Sequence, residues 1–310
     1  MRAPGSAIGL GSPRGRAAVI LWPLKTPAPF QVSLAQIEPT LGNLDANLAL
    51  HQSEIKAARA AGSEMLLFPE LSLTGYYLKD QTPEVALARD GAELEVLREA
   101  SGGLTLGLGF VERAPDGRLY NAYAIFEDGE LLHVHRKVHL VTYGMFEESR
   151  DLAAGDQFCV VESRHGHLGV LICEDMWHAA GAWLYFLAGV DMLLVPSAGP
   201  GRGVAASDPG LASVETWRAL LANASTLYQT WSLYVNRTGV EDGVIFGGAS
   251  RIANPQGREV AVLEGLDPGH LTCRIDCGEN ERARMQAPLR RDEKPWMVLA
   301  ELQRIEANRR

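Results

Sequence analysis

FQVSLAQIEPTLGNLDANLALHQSEIKAARAAGSEMLLFPE, residues 30 to 70, reads as strand, helix, strand. FQVSLAQ has the pattern of a strand, and Leu44, Leu48, Ile55 and Ala58 then mark one face of a helix. The run MLLF follows and stops at Pro69 and Glu70. This is the opening of an α/β domain, in which a polar residue at the end of an apolar strand stands where a parallel sheet presents chemistry to solvent. Glu70 is the first residue so placed.

The same grammar continues downstream. LTLGLGFVER (104 to 113) and LYNAYAIFEDGELLHVHRKVHL (119 to 140) read as adjacent strands, with a hairpin turn at the Asp-Gly of EDGE. HLGVLIC, DMLLVPS and SLYVNRTG supply further strands. Between the last two, LASVETWRALLANASTLYQT carries Val214, Trp217, Leu221, Ala224 and Tyr228 on one helical stripe. AAGSEMLLFPE (60 to 70) is echoed by LAGVDMLLVPS (187 to 197). If two halves are built alike, Glu70 and Ser197 occupy equivalent strand ends facing one cleft; shared strand composition accounts for the echo equally well.

No linker or charge block divides residues 30 to 285, so 30–287 is expected to be one continuous domain. Residues 1–29, rich in Gly, Pro, Ala and Arg, read as a flexible extension or an early start codon; AAVILWPL (17 to 24) is only a weak match to a signal-peptide core. Residues 288–310 read as a basic, proline-punctuated tail with a short helix at WMVLAELQRIEANRR, of a kind that packs on the surface or on a partner subunit.

With 46% hydrophobic residues in 310, the chain can bury a large core, and its net charge of -9 argues against a nucleic-acid partner. No apolar run approaches the roughly 20 residues of a membrane span. The cysteines, 159, 173, 273 and 277, show neither zinc-site spacing nor disulfide density, so a reducing, cytoplasmic setting is expected. Cys159 in FCVVE and Cys273 and Cys277 in HLTCRIDCG read as strand residues.

Cys173 ends GVLIC and precedes EDMWHAAGAWLYFLAG, read as a helix beginning directly after it. A helix N-terminus and a nearby ammonium would both lower the thiol pKa and favour the nucleophilic thiolate, while Glu174 and Asp175 would oppose this. Lys137, between His135 and His139, could supply that ammonium and hold an oxyanion with a backbone N–H after the nucleophile. Glu70 could act as general base. His133, His135 and His139 lack a fourth ligand at suitable spacing, and no metal is expected. Taken singly, each residue has an ordinary structural explanation: a buried inert thiol, a solvated lysine, a capping carboxylate.

Taken in order, FPELSLTGY, RKVHL and ICEDMW resemble the three signatures of the nitrilase superfamily of carbon-nitrogen hydrolases, and the resemblance extends from about Phe30 to Ala287. It implies a four-layer α-β-β-α sandwich and a catalytic set of Glu70, Lys137 and Cys173, with Glu148 as a fourth member. KVHLVTYGMFEESR is similar to the lysine-to-glutamate stretch in the glutaminase domains of glutamine-dependent NAD synthetases. That likeness implies a substrate pocket including Tyr143, with Phe146, Trp177 and Ser197 as its wall and the Glu174 N–H at the oxyanion. Where that stretch usually has proline, this chain has Val141. No SGG-type phosphate loop is seen, so a freestanding amide hydrolase is expected. The implied reaction needs no cofactor: Cys173 forms a thioester with a small linear carboxamide and ammonia leaves. A nitrilase or N-carbamoyl amide hydrolase would use the same residues, and a partner-dependent ammonia-donating or regulatory subunit would keep the fold. The resemblance also implies a homodimer or higher homo-oligomer, formed through helices near 182–189 and 211–230 and the tail.

Overall fold

The computed structural model describes residues 26–203 and 211–309. Most of the expected N-terminal extension, including residues 17 to 24, lies outside the described residues. In chain order the strands are β1 (Phe30–Gln36), β2 (Met65–Leu67), β3 (Thr105–Arg113), β4 (Leu119–Glu127), β5 (Glu130–Arg136), β6 (Val161–Ser163) and β7 (Gly166–Val170). They continue as β8 (Met192–Ser197), β9 (Trp231–Asn236), β10 (Val240–Glu241), β11 (Val244–Ile245), β12 (Arg251–Ala253), β13 (Glu259–Val262) and β14 (Gly269–Ile275). Two six-stranded sheets result, ordered β14-β1-β2-β3-β4-β5 and β13-β12-β9-β8-β7-β6, with β10 and β11 as a separate ribbon. The expected hairpin joins β4 to β5 through Asp128 and Gly129, both at positive φ.

The helices are α1 (Leu44–Ala60), α2 (Thr82–Val85), α3 (Ala92–Glu99), α4 (Ala179–Ala188), α5 (Ala212–Tyr228), α6 (Gly278–Gln286), α7 (Leu289–Asp292) and α8 (Pro295–Asn308). The Asn43 side chain caps α1 by accepting from the Ala46 N–H at 3.1 Å. Ile55 and Ala58 of α1 and Leu94 and Leu97 of α3 pack on the outer face of the first sheet, while Tyr185 of α4 and Trp217 and Leu221 of α5 cover the second. Val32, Leu34, Met65 and Leu67 meet Val170, Ile172, Met192 and Leu194 between the sheets. The result is the four-layer α-β-β-α sandwich.

The Met-Leu-Leu echo has a structural basis. β2 lies between parallel neighbours β1 and β3, and β8 between parallel neighbours β7 and β9. Such a strand is covered on both faces and therefore reads as an unbroken apolar run. In β2, Met65 and Leu67 face the other sheet while Leu66 and, just past the strand, Phe68 face the helices; in β8, Met192 and Leu194 face inward while Leu193 and Val195 face the helices.

Two expectations change. Cys159 sits ahead of β6 rather than in a strand, and Cys277 lies just past β14, capping α6; all four cysteines are free. The tail forms α7 and α8, and α8 buries none of its residues, leaving Trp296, Leu299 and Leu302 exposed. Among the described residues no helix is long and apolar enough to cross a membrane.

Candidate active site

The ends of β2, β5, β7 and β8 converge. Glu70 lies just beyond β2, where the turn crosses β3 so closely that a Cβ at Gly109 would stand 2.3 Å from the Leu71 nitrogen and 2.7 Å from the Pro69 oxygen. Only glycine permits that approach. The Glu70 carboxylate is fully buried. Its Oε1 accepts from Asn121 Nδ2 and from Lys137 Nζ, each at 2.7 Å, and its Oε2 accepts from the Ala198 N–H at 2.7 Å. Burial raises the Glu70 pKa and Glu148 adds to this; the Lys137 charge and the hydrogen bonds from Lys137 and Asn121 oppose it.

Lys137 follows β5 directly, its N–H donating to the Asn121 carbonyl at 2.8 Å. Its ammonium is fully buried and donates to Glu148 Oε1, as to Glu70, at 2.7 Å. Burial alone would lower its pKa, but the charges of Glu148 and Glu70 outweigh it and hold the pKa well above the usual lysine value. Lys137 is therefore a permanent cation, and two of its three N–H groups are committed to carboxylates.

Glu148 is held from three sides. Oε1 also receives the Tyr76 hydroxyl at 2.6 Å, and Oε2 receives the Val141 N–H at 3.0 Å. Proline in place of Val141 would lack that N–H, so the departure from the usual sequence supplies a donor to the carboxylate rather than a defect. The Glu148 N–H returns a bond to the Val141 carbonyl at 3.1 Å.

Cys173 departs from its expected setting. No helix begins directly after it: residues Cys173–Trp177 form a 3-10 turn and α4 starts only at Ala179. Cys173 itself has φ +46°, a left-handed conformation that a non-glycine residue holds at a cost of about 1–3 kcal/mol and that marks functional corners. The Ala198 N–H that donates to Glu70 also favours the charged form of the Cys173 thiol. The thiol pKa moves opposite to expectation. Burial and the Glu70 charge push it well above the ordinary value, and Lys137 and the Ala198 N–H only partly offset them. The resting nucleophile is a thiol beside Glu70.

Asp175 fastens the cysteine turn to the lysine-bearing segment. One oxygen accepts from the N–H groups of Val138 and His139 at 3.1 and 2.8 Å and meets His139 Nδ1 at 3.0 Å. The other accepts from the Ile172 N–H at 3.1 Å and faces His135 Nε2 at 3.4 Å. Although burial opposes ionisation, these partners lower its pKa to about 2. His135 and His139 thus serve a carboxylate.

The expected pocket residues divide. The Tyr143 hydroxyl donates to the Glu174 carboxylate at 3.1 and 3.2 Å to its two oxygens, and Tyr143 is 57% exposed. Trp177, 46% exposed, stands edge-on to Trp217 at 5.8 Å between ring centroids. Ser197 is fully buried at the end of β8, its hydroxyl without a hydrogen-bond partner among the described residues. Phe146 packs with Tyr76 and Tyr77, and with them and Glu148 it lines a cavity of 220 Å³ that meets the polar cluster at Tyr76 and Glu148.

Several supporting residues escaped the reading of the sequence. Asn121 was visible as a lone amide in the apolar strand LYNAYAIF, a polar group that a buried position must satisfy. Tyr76 lay within FPELSLTGY. Asn236 clamps the Ala198 turn, its side chain accepting from the Gly199 N–H at 2.8 Å and donating to the Gly199 and Gly248 carbonyls. Glu241, paired with buried Arg237, accepts the Tyr76 and Tyr77 N–H groups at 3.0 Å.

A model of the family described as carbon-nitrogen hydrolase matches residues 31–285. The chain is 31% identical over 270 residues to the glutamine-dependent NAD(+) synthetase of Thermotoga maritima, covering 84% of this chain and 45% of that one. It therefore spans about half the length of that relative. It is 32% identical over 253 residues to a Pseudomonas protegens protein described as a hydrolase in the pqqF 5' region, covering 80% of this chain and 83% of that one. The crystal structure of Saccharomyces cerevisiae Nit3, a member of the nitrilase superfamily, superposes with a TM-score of 0.74 at 23% identity, covering 86% of this chain and 97% of that one.

Proposed function

The chain belongs to the carbon-nitrogen hydrolase family, and on that premise we propose that it hydrolyses a small linear carboxamide through a thioester on Cys173, releasing ammonia. The observation that carries this reading is the buried Glu70 carboxylate, held by the Ala198 N–H at Oε2, standing beside the half-buried Cys173 thiol on which its charge acts. Glu70 Oε1 is already occupied by two donors, so Oε2 takes the thiol proton as Cys173 attacks the carbonyl. The third N–H of Lys137, with the Glu174 N–H, stabilises the oxyanion. Glu70 passes its proton to the leaving nitrogen, and ammonia departs. Glu70 then takes a proton from water, which adds to the thioester carbonyl, and returns it to the Cys173 sulfur as the acid leaves. Glu148 keeps Lys137 charged and aimed.

The acid next to the nucleophile supports an amide whose far end carries an amino group, as in a glutamine-like ω-amide. The Glu174 carboxylate, adjacent in sequence to the nucleophile and oriented by the Tyr143 hydroxyl, can pair with an ammonium. Purified protein incubated with glutamine, aliphatic amides, nitriles and N-carbamoyl amino acids should release ammonia, fastest from an amine-bearing ω-amide. Absence of ammonia release from every carboxamide would overturn the reading.

A further inference from the structure

We infer that Asn121 is the positioning residue of the Glu70 base, fixing which carboxylate oxygen faces the thiol. The inference rests on the reading of Glu70 and Cys173 above and adds to it a residue near the start of β4.

Asn121 touches both charged partners at once. Its Nδ2 donates to Glu70 Oε1 at 2.7 Å, and its carbonyl accepts the Lys137 N–H at 2.8 Å. The residue is buried, and its Oδ1 has no hydrogen-bond partner among the described residues. The amide therefore stands in the one orientation that gives its donor to Glu70, and leaves its acceptor unsatisfied as the cost. A flipped amide would point Oδ1 at a carboxylate oxygen, two acceptors with no proton between them.

The valence of the carboxylate gives this contact its consequence. Oε1 receives both Asn121 and Lys137, whereas Oε2 receives only the Ala198 N–H. With Oε1 occupied, the carboxylate cannot rotate to offer it to the thiol without breaking two bonds. Proton transfer runs from Sγ to Oε2. The charged or titratable groups facing Glu70 are Lys137, Glu148, Cys173, Tyr76, Tyr234 and Arg237. Asn121 adds a neutral donor, stabilising the charged base without adding charge of its own.

Two full-length variants test the inference, Asn121→Leu, of similar size without the donor, and Asn121→Asp, which puts an acceptor where the donor stood. The readout is the rate of Cys173 alkylation by iodoacetamide against pH, with the modified cysteine located by peptide mass mapping and folding checked by circular dichroism. Either folded variant should move the acid limb upward by at least half a pH unit and slow alkylation at neutral pH about tenfold, because Glu70 loses a bond to its charged form. A folded variant whose limb coincides with wild type would overturn the inference while leaving the nucleophile intact. Wild-type protein in which Cys173 reacts no faster than Cys159 and Cys273 would instead overturn the reading of the site, and this inference with it.

Discussion

The Ala198 N–H donates to Glu70 Oε2 at 2.7 Å, joining the ends of β2 and β8 across the two sheets. Glu70 stands five positions after Met65 and Ser197 five after Met192, so the Met-Leu-Leu echo marks matching ends that meet at the site. The site is built where the two halves touch, and the following predictions test how its charges are held.

Lys137 is the only cation in direct contact with the two carboxylates among the described residues. Replacing it with alanine leaves two buried carboxylates without their partner. Thermal or urea unfolding of Lys137→Ala should show a loss of about 3–5 kcal/mol. Lys137→Met, which keeps the stem, should be equally inactive.

Val141→Pro removes one donor to Glu148 without removing a charge. A hydrogen bond to a charged group contributes about 1.5–3 kcal/mol, so the variant should lose stability on that scale and turn over at least several-fold more slowly. Equal stability and rate would show that Glu148 does not depend on this N–H.

His51, fully buried, contacts the Asn47 carbonyl at 2.7 Å and the Ser72 hydroxyl at 3.0 Å behind the Glu70 turn. Burial lowers its pKa from 6.5 to about 4. Between those values the unfolded chain binds a proton that the folded chain refuses, so stability falls as pH drops from 6.5 toward 4. At roughly 1.4 kcal/mol per pH unit the contribution reaches about 3 kcal/mol. Denaturation midpoints measured across that window should fall less steeply in His51→Asn.

Tyr143→Phe tests the far end of the substrate. Loss of the hydroxyl that orients Glu174 should raise KM about fivefold for an amine-bearing ω-amide and leave kcat nearly unchanged. For a simple aliphatic amide both constants should stay as they are. A fall in kcat for both would place Tyr143 in the chemistry.

Much of this was legible in the sequence, because apolar runs ending in Glu70 and Cys173 are local signals of strand and strand end. The faces of α1 and α5 emerged for the same reason, since periodicity survives in one dimension. What stayed hidden depends on partners distant in sequence. The Asn121 contact spans 51 positions and the Ala198 contact 128. Asp175 read as an acid opposing the thiolate, and only the fold brings Val138 and His139 to it. The sign of the thiol shift was missed because sequence shows the neighbouring charges but not the burial that outweighs Lys137.

The most direct test is mass spectrometry of protein quenched during turnover of the best amide found. A covalent acyl adduct should appear on the peptide bearing Cys173 in wild type and be absent in a folded Cys173→Ala variant, which should release no ammonia. Ammonia release by folded Cys173→Ala would contradict the account.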